Sequence, residues 1–232
     1  MLGFADERMR SFSLTSWGNA HTVAVVLATG LAVGFGYPAL LAWVAGGSCL
    51  ILLVQTRGTW TPHGQLGVAN LVTTLRLVMT FGLLFAYRDL PDAVLCSAAL
   101  SILILDGVDG WLARRYGASS DFGARYDVEA DALFVIALSL ILLARGAAGP
   151  WVLIAGLWRY FYILARLVVP SPIEAPRTLF GRVSYVLMLI CFILALWLPP
   201  SWSAPVAAIG TIALSISFLR SFWQAYFPVR PA

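Results

Sequence analysis

AVLCSAALSILILDGVDGWLARRYGASSDFGARYDVEADALFVIALSLILLAR, residues 93–145, is two apolar runs with an acidic band between them. The runs, roughly 93–113 and 127–145, have the length of membrane helices, since a bilayer core about 30 Å thick needs about 20 apolar residues. The band holds Asp106, Asp109, Asp121, Asp127, Glu129 and Asp131, six of the chain's 11 acidic residues. A carboxylate inside a membrane segment is costly unless it is paired or meets a cation. The stretch therefore reads as a helix pair built around a polar task.

The rest of the chain agrees. Of 232 residues, 60% are hydrophobic and only 11% charged, with a mean hydropathy of +0.86. Soluble domains carry roughly a quarter charged residues, so this chain lacks the polar surface to cover a soluble globule. A soluble enzyme, a disordered chain and an ordinary nucleic-acid binder are excluded. The expected fold is an all-α integral membrane protein of about eight transmembrane helices. Its spans fall roughly at 19–36, 38–54, 70–87, 93–113, 127–145, 150–169, 182–198 and 205–227. Turn chemistry separates them at Tyr37-Pro38, Arg88 to Pro91, Gly146 to Pro150, and Pro199 to Pro205. Trp17, Trp60, Trp151, Trp197, Trp202 and Trp223 fall near span ends, where indoles settle at the interface.

The first apolar run follows Arg8 and Arg10, as in a signal peptide, but its preceding region is long and no clean cleavage site follows. A retained helix is expected. With the N-terminus in the cytoplasm, one side of the membrane holds Arg8, Arg10, Arg57, Arg114, Arg115, Arg125, Arg177, Arg182 and Arg230. The other holds Arg88 and Arg145. The positive-inside bias places both termini and the acidic band at the cytoplasmic face. Residues 55–69, rich in Thr, Gly, Pro, His and Gln, separate an N-terminal pair of spans from six later ones.

Three Cys, at 49, 96 and 191, sit in apolar runs without ligand spacing and read as small fillers. His21 and His63, near span ends, read as solvated or interfacial.

Spacing sharpens the acidic band. Asp106, Asp109, Gly110 and Ala113 share one helix face, and so do Gly123, Asp127 and Asp131. A short turn makes the two helices antiparallel neighbours, so four Asp can converge. Carboxylates without Cys or His form a hard-oxygen site suited to Mg²⁺ or Mn²⁺. Gly110, Ala113 and Gly123 leave room for a flat group, and Arg114 can hold a phosphate. Together these features suggest phosphoryl transfer on a nucleotide-bearing substrate.

The pattern Asp106-x2-Asp109-Gly110-x2-Ala113-Arg114-x8-Gly123-x3-Asp127-x3-Asp131 resembles the signature of the CDP-alcohol phosphotransferases at every fixed position. Asn70-x2-Thr73-x2-Arg76 is similar to the segment opening that family's first core helix. The resemblance covers a six-helix core, 65–232, and leaves 1–64 as an N-terminal tail and two-helix extension. It implies two Mg²⁺ or Mn²⁺ ions held by Asp106, Asp109, Asp127 and Asp131, with Asp131 also the base that deprotonates the acceptor hydroxyl. It implies space for cytidine at Gly110, Ala113 and Gly123, diphosphate binding at Arg114, and donor contacts at Asn70, Thr73 and Ser120. Asp121 and Glu129, off the signature, read as solvated or as supporting the ligands. The implied partners are a CDP-linked lipid donor, an alcohol acceptor and membrane lipids, with no nucleic acid and with homodimer formation. The implied location is the bacterial inner membrane, with the site facing the cytoplasm.

The family divides between transfer of a phosphatidyl group from CDP-diacylglycerol to a soluble alcohol and transfer of a head group from a CDP-amino alcohol to a lipid. Arg159 is costly in mid-span. With Arg166, Arg177 and Arg182 it suggests an anionic acceptor, and so favours the first branch, with release of CMP in phospholipid biosynthesis. The chain has no Lys, a residue common among acceptor contacts in members that use a phosphorylated alcohol, so the alcohol stays open. The rival of another class is a silent membrane scaffold or a divalent-cation carrier. A carrier calls for acidic residues spread along a path, whereas these are gathered on one helix pair.

Overall fold

Gly36 turns the chain out of its first helix. Its φ is +62°, a left-handed conformation that costs a side-chain-bearing residue more. Gly36 N–H donates to Val33 O at 3.2 Å and Tyr37 N–H to Ala32 O at 2.9 Å, which satisfies carbonyls the helix end would leave open. Pro38 then opens the next helix. Such punctuation delimits each element in a computed structural model that describes residues 2–115, 120–169 and 178–227.

Among the described residues are eight α-helices and no strand: α1 Leu2–Gly34, α2 Ala39–Gln55, α3 Gly67–Ala86, α4 Asp92–Arg115, α5 Asp121–Ala144, α6 Leu153–Val168, α7 Leu179–Trp197 and α8 Pro200–Tyr226. A 3-10 turn, Pro150–Val152, leads into α6. The eight apolar runs of the sequence correspond one to one with these helices. Two boundaries differ. α1 begins at Leu2, not near residue 19, because Asp6, Glu7, Arg8 and Arg10 are compatible with helix although they lie outside any apolar window. α8 begins at Pro200 and carries Pro205 inside it. Pro at the first helical position loses no intrahelical bond, so Pro200 can start the helix; Pro205, in the second turn, forgoes one but does not end it.

Among the described residues, four helical segments are long and apolar enough to cross a membrane: Gly67–Ala86, Pro150–Val168, Leu179–Trp197 and Pro200–Tyr226. α2 is a shorter apolar helix of 17 residues. On α7, Val183, Leu187, Ile190, Leu194 and Trp197 form an exposed stripe, while Ser184, Met188, Cys191, Phe192 and Ala195 are buried. An apolar stripe of that size on a helix face marks contact with lipid. The protein is an integral membrane protein.

The chain forms two compact units, Met1–Phe85 with Ile104–Leu133, and Ala86–Leu103 with Phe134–Ala232. In the first, α1 packs on α2. Trp17 Nε1 donates to Ser48 O at 3.0 Å across that pair. In the second, α8 packs on α7 and α6. Trp158 Nε1 donates to Ser215 Oγ at 2.8 Å. Lipid is as apolar as leucine, so close packing and such interhelical hydrogen bonds, not water exclusion, hold membrane helices together.

Candidate active site

Within the first unit, α3 carries a buried polar line, Asn70, Thr73, Arg76 and Thr80, at steps of three and four residues. Arg76 is 1% exposed. A buried guanidinium needs anionic partners, and three carboxylates supply them. Its Nη1 donates to Asp127 Oδ1 at 2.9 Å, and its Nη2 to Asp131 Oδ1 at 2.5 Å. Nη2 also lies 2.6 Å from Asp106 Oδ1. Asp127 and Asp131 stand one turn apart on α5, and Asp106 comes from α4, so the convergence expected from the sequence is present for these three.

Oxygens of Asp106, Asp127 and Asp131 lie within 4.8 Å of one another. Together with Arg76 the four groups carry a formal charge of −2, which favours further cations. The Asp side chains are 25%, 38% and 26% exposed, so an ion or substrate can reach them. The donors are all hard oxygens, and the set fits a divalent cation of the Mg²⁺ or Mn²⁺ kind. Asp109, Gly110, Ala113 and Arg114 lie on the last turns of α4, but their side chains fall outside the described residues.

The N-terminal end of α5 is anchored through one backbone carbonyl. Trp60 O accepts from Asn70 Nδ2 at 3.1 Å and from Ser120 Oγ at 2.7 Å. Asn70 Nδ2 also donates to Leu66 O at 2.7 Å. Ser120 Oγ in turn accepts from Gly123 N–H at 3.0 Å and so caps α5. A Cβ on Gly123 would lie 3.0 Å from Asn70 Oδ1 and 3.2 Å from Ser120 Oγ. The space that Gly123 leaves is thus beside Asn70 and Ser120. Thr73 is buried, and its Oγ1 donates to Ala69 O at 3.2 Å. Thr74 Oγ1 and Tyr126 Oη, 3.1 Å apart, add a further link from α3 to α5.

Arg159, Arg166 and Arg182 belong to the second unit. Arg159 is half-buried in mid-α6, Arg166 lies in its last turn with its guanidinium 5.9 Å from the Tyr162 ring centre, and Arg182 is exposed. Arg177 is outside the described residues. Asp121 is exposed in the first turn of α5, and His63 is exposed. One reading needs correction: His21 is 1% exposed, neither solvated nor interfacial. Of the two readings of Glu129, its 2% exposure excludes the solvated one. His21 Nε2 and Glu129 Oε1 lie 3.3 Å apart in the interior, where each shields the other from an apolar surrounding. The Arg76 hub was also missed as a site residue. The insertion-cost argument applied to Arg159 holds equally for an arginine in mid-α3.

Three partly exposed carboxylates gathered around a buried arginine on α3, α4 and α5 of an integral membrane protein fit an enzyme that handles a phosphate-bearing substrate. The chain belongs to the CDP-alcohol phosphatidyltransferase family, which matches residues 66–223. It is 27% identical over 176 residues to a CDP-diacylglycerol--glycerol-3-phosphate 3-phosphatidyltransferase of Sodalis glossinidius, covering 70% of this chain and 92% of that one. A protein of the same name from Salmonella choleraesuis is 27% identical over 178 residues, covering 69% of this chain and 91% of its own. One from Cereibacter sphaeroides is 33% identical over 91 residues, 38% of this chain and 41% of its own. No solved structure gives a significant match. The protein is therefore a transferase of phospholipid biosynthesis that acts on a CDP-linked lipid donor and an alcohol acceptor.

Proposed function

We propose that the protein transfers the phosphatidyl group of CDP-diacylglycerol to the hydroxyl of glycerol 3-phosphate, with release of CMP. The convergence of Asp106, Asp127 and Asp131 on Arg76 carries the reading of the site. The relatives, named for this donor and acceptor, support the substrates and favour this branch over head-group transfer from a CDP-amino alcohol.

Asp106, Asp109, Asp127 and Asp131 would hold two Mg²⁺ or Mn²⁺ ions, which would supply positive charge to the diphosphate and to the departing CMP. Arg114 binds the diphosphate, while Gly110, Ala113 and Gly123 make room for the cytidine. Asn70, Thr73 and Ser120 shape the donor pocket. Asp131 takes the proton of the acceptor hydroxyl as its oxygen attacks the β-phosphorus and the bond to CMP breaks. Arg76 keeps Asp127 and Asp131 aimed at one point. Arg159, Arg166, Arg177 and Arg182 hold the phosphate of the acceptor.

Residues 65–232 form the catalytic core and 1–64 an added extension. The chain lies in the bacterial inner membrane with both termini and the site on the cytoplasmic side; cysteine labelling at residues 5 and 230 tests this. The resemblance implies a homodimer, which sedimentation in detergent reads directly.

The deciding experiment supplies purified protein with CDP-diacylglycerol, Mg²⁺ and a panel of radiolabelled acceptors: glycerol 3-phosphate, inositol phosphate, inositol and serine. The expected product is a phosphatidyl lipid from glycerol 3-phosphate with one CMP released per transfer. Product from another acceptor alone would overturn the proposed substrate.

A further inference from the structure

Glu129 lies between Asp127 and Asp131 in sequence but on the other side of α5. At 3.6 residues per turn it is about 160° round the helix from each of them. It is 2% exposed, and its Oε1 lies 3.3 Å from Nε2 of His21, itself 1% exposed on α1. His21 Nδ1 lies 2.7 Å from Ser48 Oγ on α2. The Trp17 ring stacks on the imidazole, with centroids 4.7 Å apart and planes 22° from parallel. Trp17 Nε1 also donates to Ser48 O. Arg125, one turn before Glu129, brings its Nη1 to within 3.7 Å of where a Cβ on Gly18 would stand. Trp17, Gly18 and His21 of α1 thus meet Ser48 on one side and α5 on the other.

These contacts are not needed to pack an apolar helix. A buried carboxylate facing α1 requires a partner, and an imidazole nitrogen 3.3 Å away, placed by a hydroxyl and an indole, is one. A polar contact on one side of a helix restrains its rotation about its own axis, and so the direction of the side chains opposite. Those side chains are Asp127 and Asp131. Catalytic groups must be held to about 0.5 Å and 10–20°. The α1–α2 pair also lies before residue 66, where the family match begins.

We propose that the N-terminal hairpin is a positioning element: Ser48 and Trp17 orient His21, His21 holds Glu129, and Glu129 sets the rotation of α5 that aims Asp127 and Asp131. This rests on the reading of those two aspartates as metal ligands. His21 and Glu129 are buried on the side of α5 opposite Asp127 and Asp131, and Ser48 contacts His21, so the three act as positioning residues. Partners that orient metal ligands are worth about ten- to hundred-fold in metal affinity or activity.

The test uses the full chain in detergent or nanodiscs, with Mn²⁺ binding measured by electron paramagnetic resonance beside steady-state kinetics and thermal unfolding. His21→Ala should lower kcat and weaken Mn²⁺ binding, each at least about ten-fold, while the KM for CDP-diacylglycerol moves less than about three-fold. His21→Gln, which keeps a polar group near Glu129, should recover most of both. His21→Ala with Glu129→Ala should cost no more than the worse single change, because the two act as one contact. Asp127→Asn is the reference. If it removes turnover and Mn²⁺ binding while His21→Ala lowers only the melting temperature, with kcat and Mn²⁺ affinity intact, the positioning role is wrong and the site reading stands. If Asp127→Asn leaves Mn²⁺ binding and turnover unchanged, the site reading fails and takes this inference with it. Should His21→Ala not fold, Ser48→Ala and His21→Gln give the same two readouts, and unchanged values in both overturn the proposal.

Discussion

Arg76 Nη2 lies 2.5 Å from Asp131 Oδ1, a charged contact from the middle of α3 to the fourth acidic position of the signature. The same nitrogen meets Asp106 at 2.6 Å, and its twin nitrogen meets Asp127 at 2.9 Å. One planar guanidinium thus ties together carboxylates from α4 and α5, as its fork of donors permits and an ammonium would not.

Arg76→Ala leaves three close carboxylates without that cation. Breaking a buried pair costs about 3–5 kcal/mol, and the low end applies here because the carboxylates are partly solvated. Thermal unfolding without divalent ions should show the loss. Added Mg²⁺ or Mn²⁺ should raise the melting temperature of Arg76→Ala more than that of the unmodified protein, because ion binding to the native state stabilises it by mass action. Arg76→Lys keeps the charge and should recover stability better than activity. Equal metal-induced shifts in the two proteins would argue against a shared site.

Asp106→Asn and Asp127→Asn should abolish CMP release and weaken Mn²⁺ binding. Asp131→Asn should remove catalysis while keeping most of the affinity for the CDP-lipid, since a base is needed only as the hydroxyl attacks. Chelation by EDTA should silence the enzyme, and Mg²⁺ or Mn²⁺ should restore it. If Asp131→Asn loses donor binding as fully as Asp106→Asn, its role is ligation alone.

Gly123→Ala tests the close approach at the start of α5. The added methyl would come 3.0 Å from Asn70 Oδ1. Asn70 cannot swing freely, because its amide nitrogen is bonded to both Trp60 O and Leu66 O. Overpacking of this kind costs about 1–3 kcal/mol, and kcat should fall with it. Gly123→Ala combined with Asn70→Ala should be less destabilised than the sum of the single changes, because the second removes the obstacle. Strict additivity in chemical unfolding would place the strain elsewhere.

The acidic motif was legible because helix geometry turns its spacing into a face: Asp127 and Asp131 four apart, and Asp106 on the preceding helix. Helix number was legible because each apolar run is bounded by Gly or Pro. What escaped was contact at long range. His21 and Glu129 each look like an interfacial group alone, and nothing local says that residues 108 positions apart will meet. Arg76 was visible as an expensive residue, but the carboxylates that satisfy it come from two other helices. The start of α1 escaped because hydropathy marks the part of a helix within the bilayer, not the helix itself. At 33 residues α1 is about 50 Å long, more than the bilayer core needs.

The arginines of the second unit supply the last prediction. Arg159 sits half-buried in the middle of α6, where a guanidinium is disfavoured by at least about 2.5 kcal/mol on insertion scales. Such a residue persists where it meets an anion or an aqueous cavity. Arg166 is seven residues on, two turns along the same face, in the last turn of the helix. Its guanidinium lies 5.9 Å from the Tyr162 ring centre, within cation–π range. Arg182 is exposed near the start of α7. A pocket for the acceptor phosphate built from these groups makes a specific kinetic demand. Arg166→Ala should raise the KM for glycerol 3-phosphate by about ten-fold or more and leave the KM for CDP-diacylglycerol nearly unchanged, because only the acceptor loses a charge-assisted contact. Arg159→Ala should act in the same direction. Unmodified protein should use uncharged glycerol poorly, and Arg166→Ala should narrow the gap between the two acceptors. Unchanged acceptor KM values in Arg159→Ala, Arg166→Ala, Arg177→Ala and Arg182→Ala would eliminate the pocket and point to an uncharged acceptor.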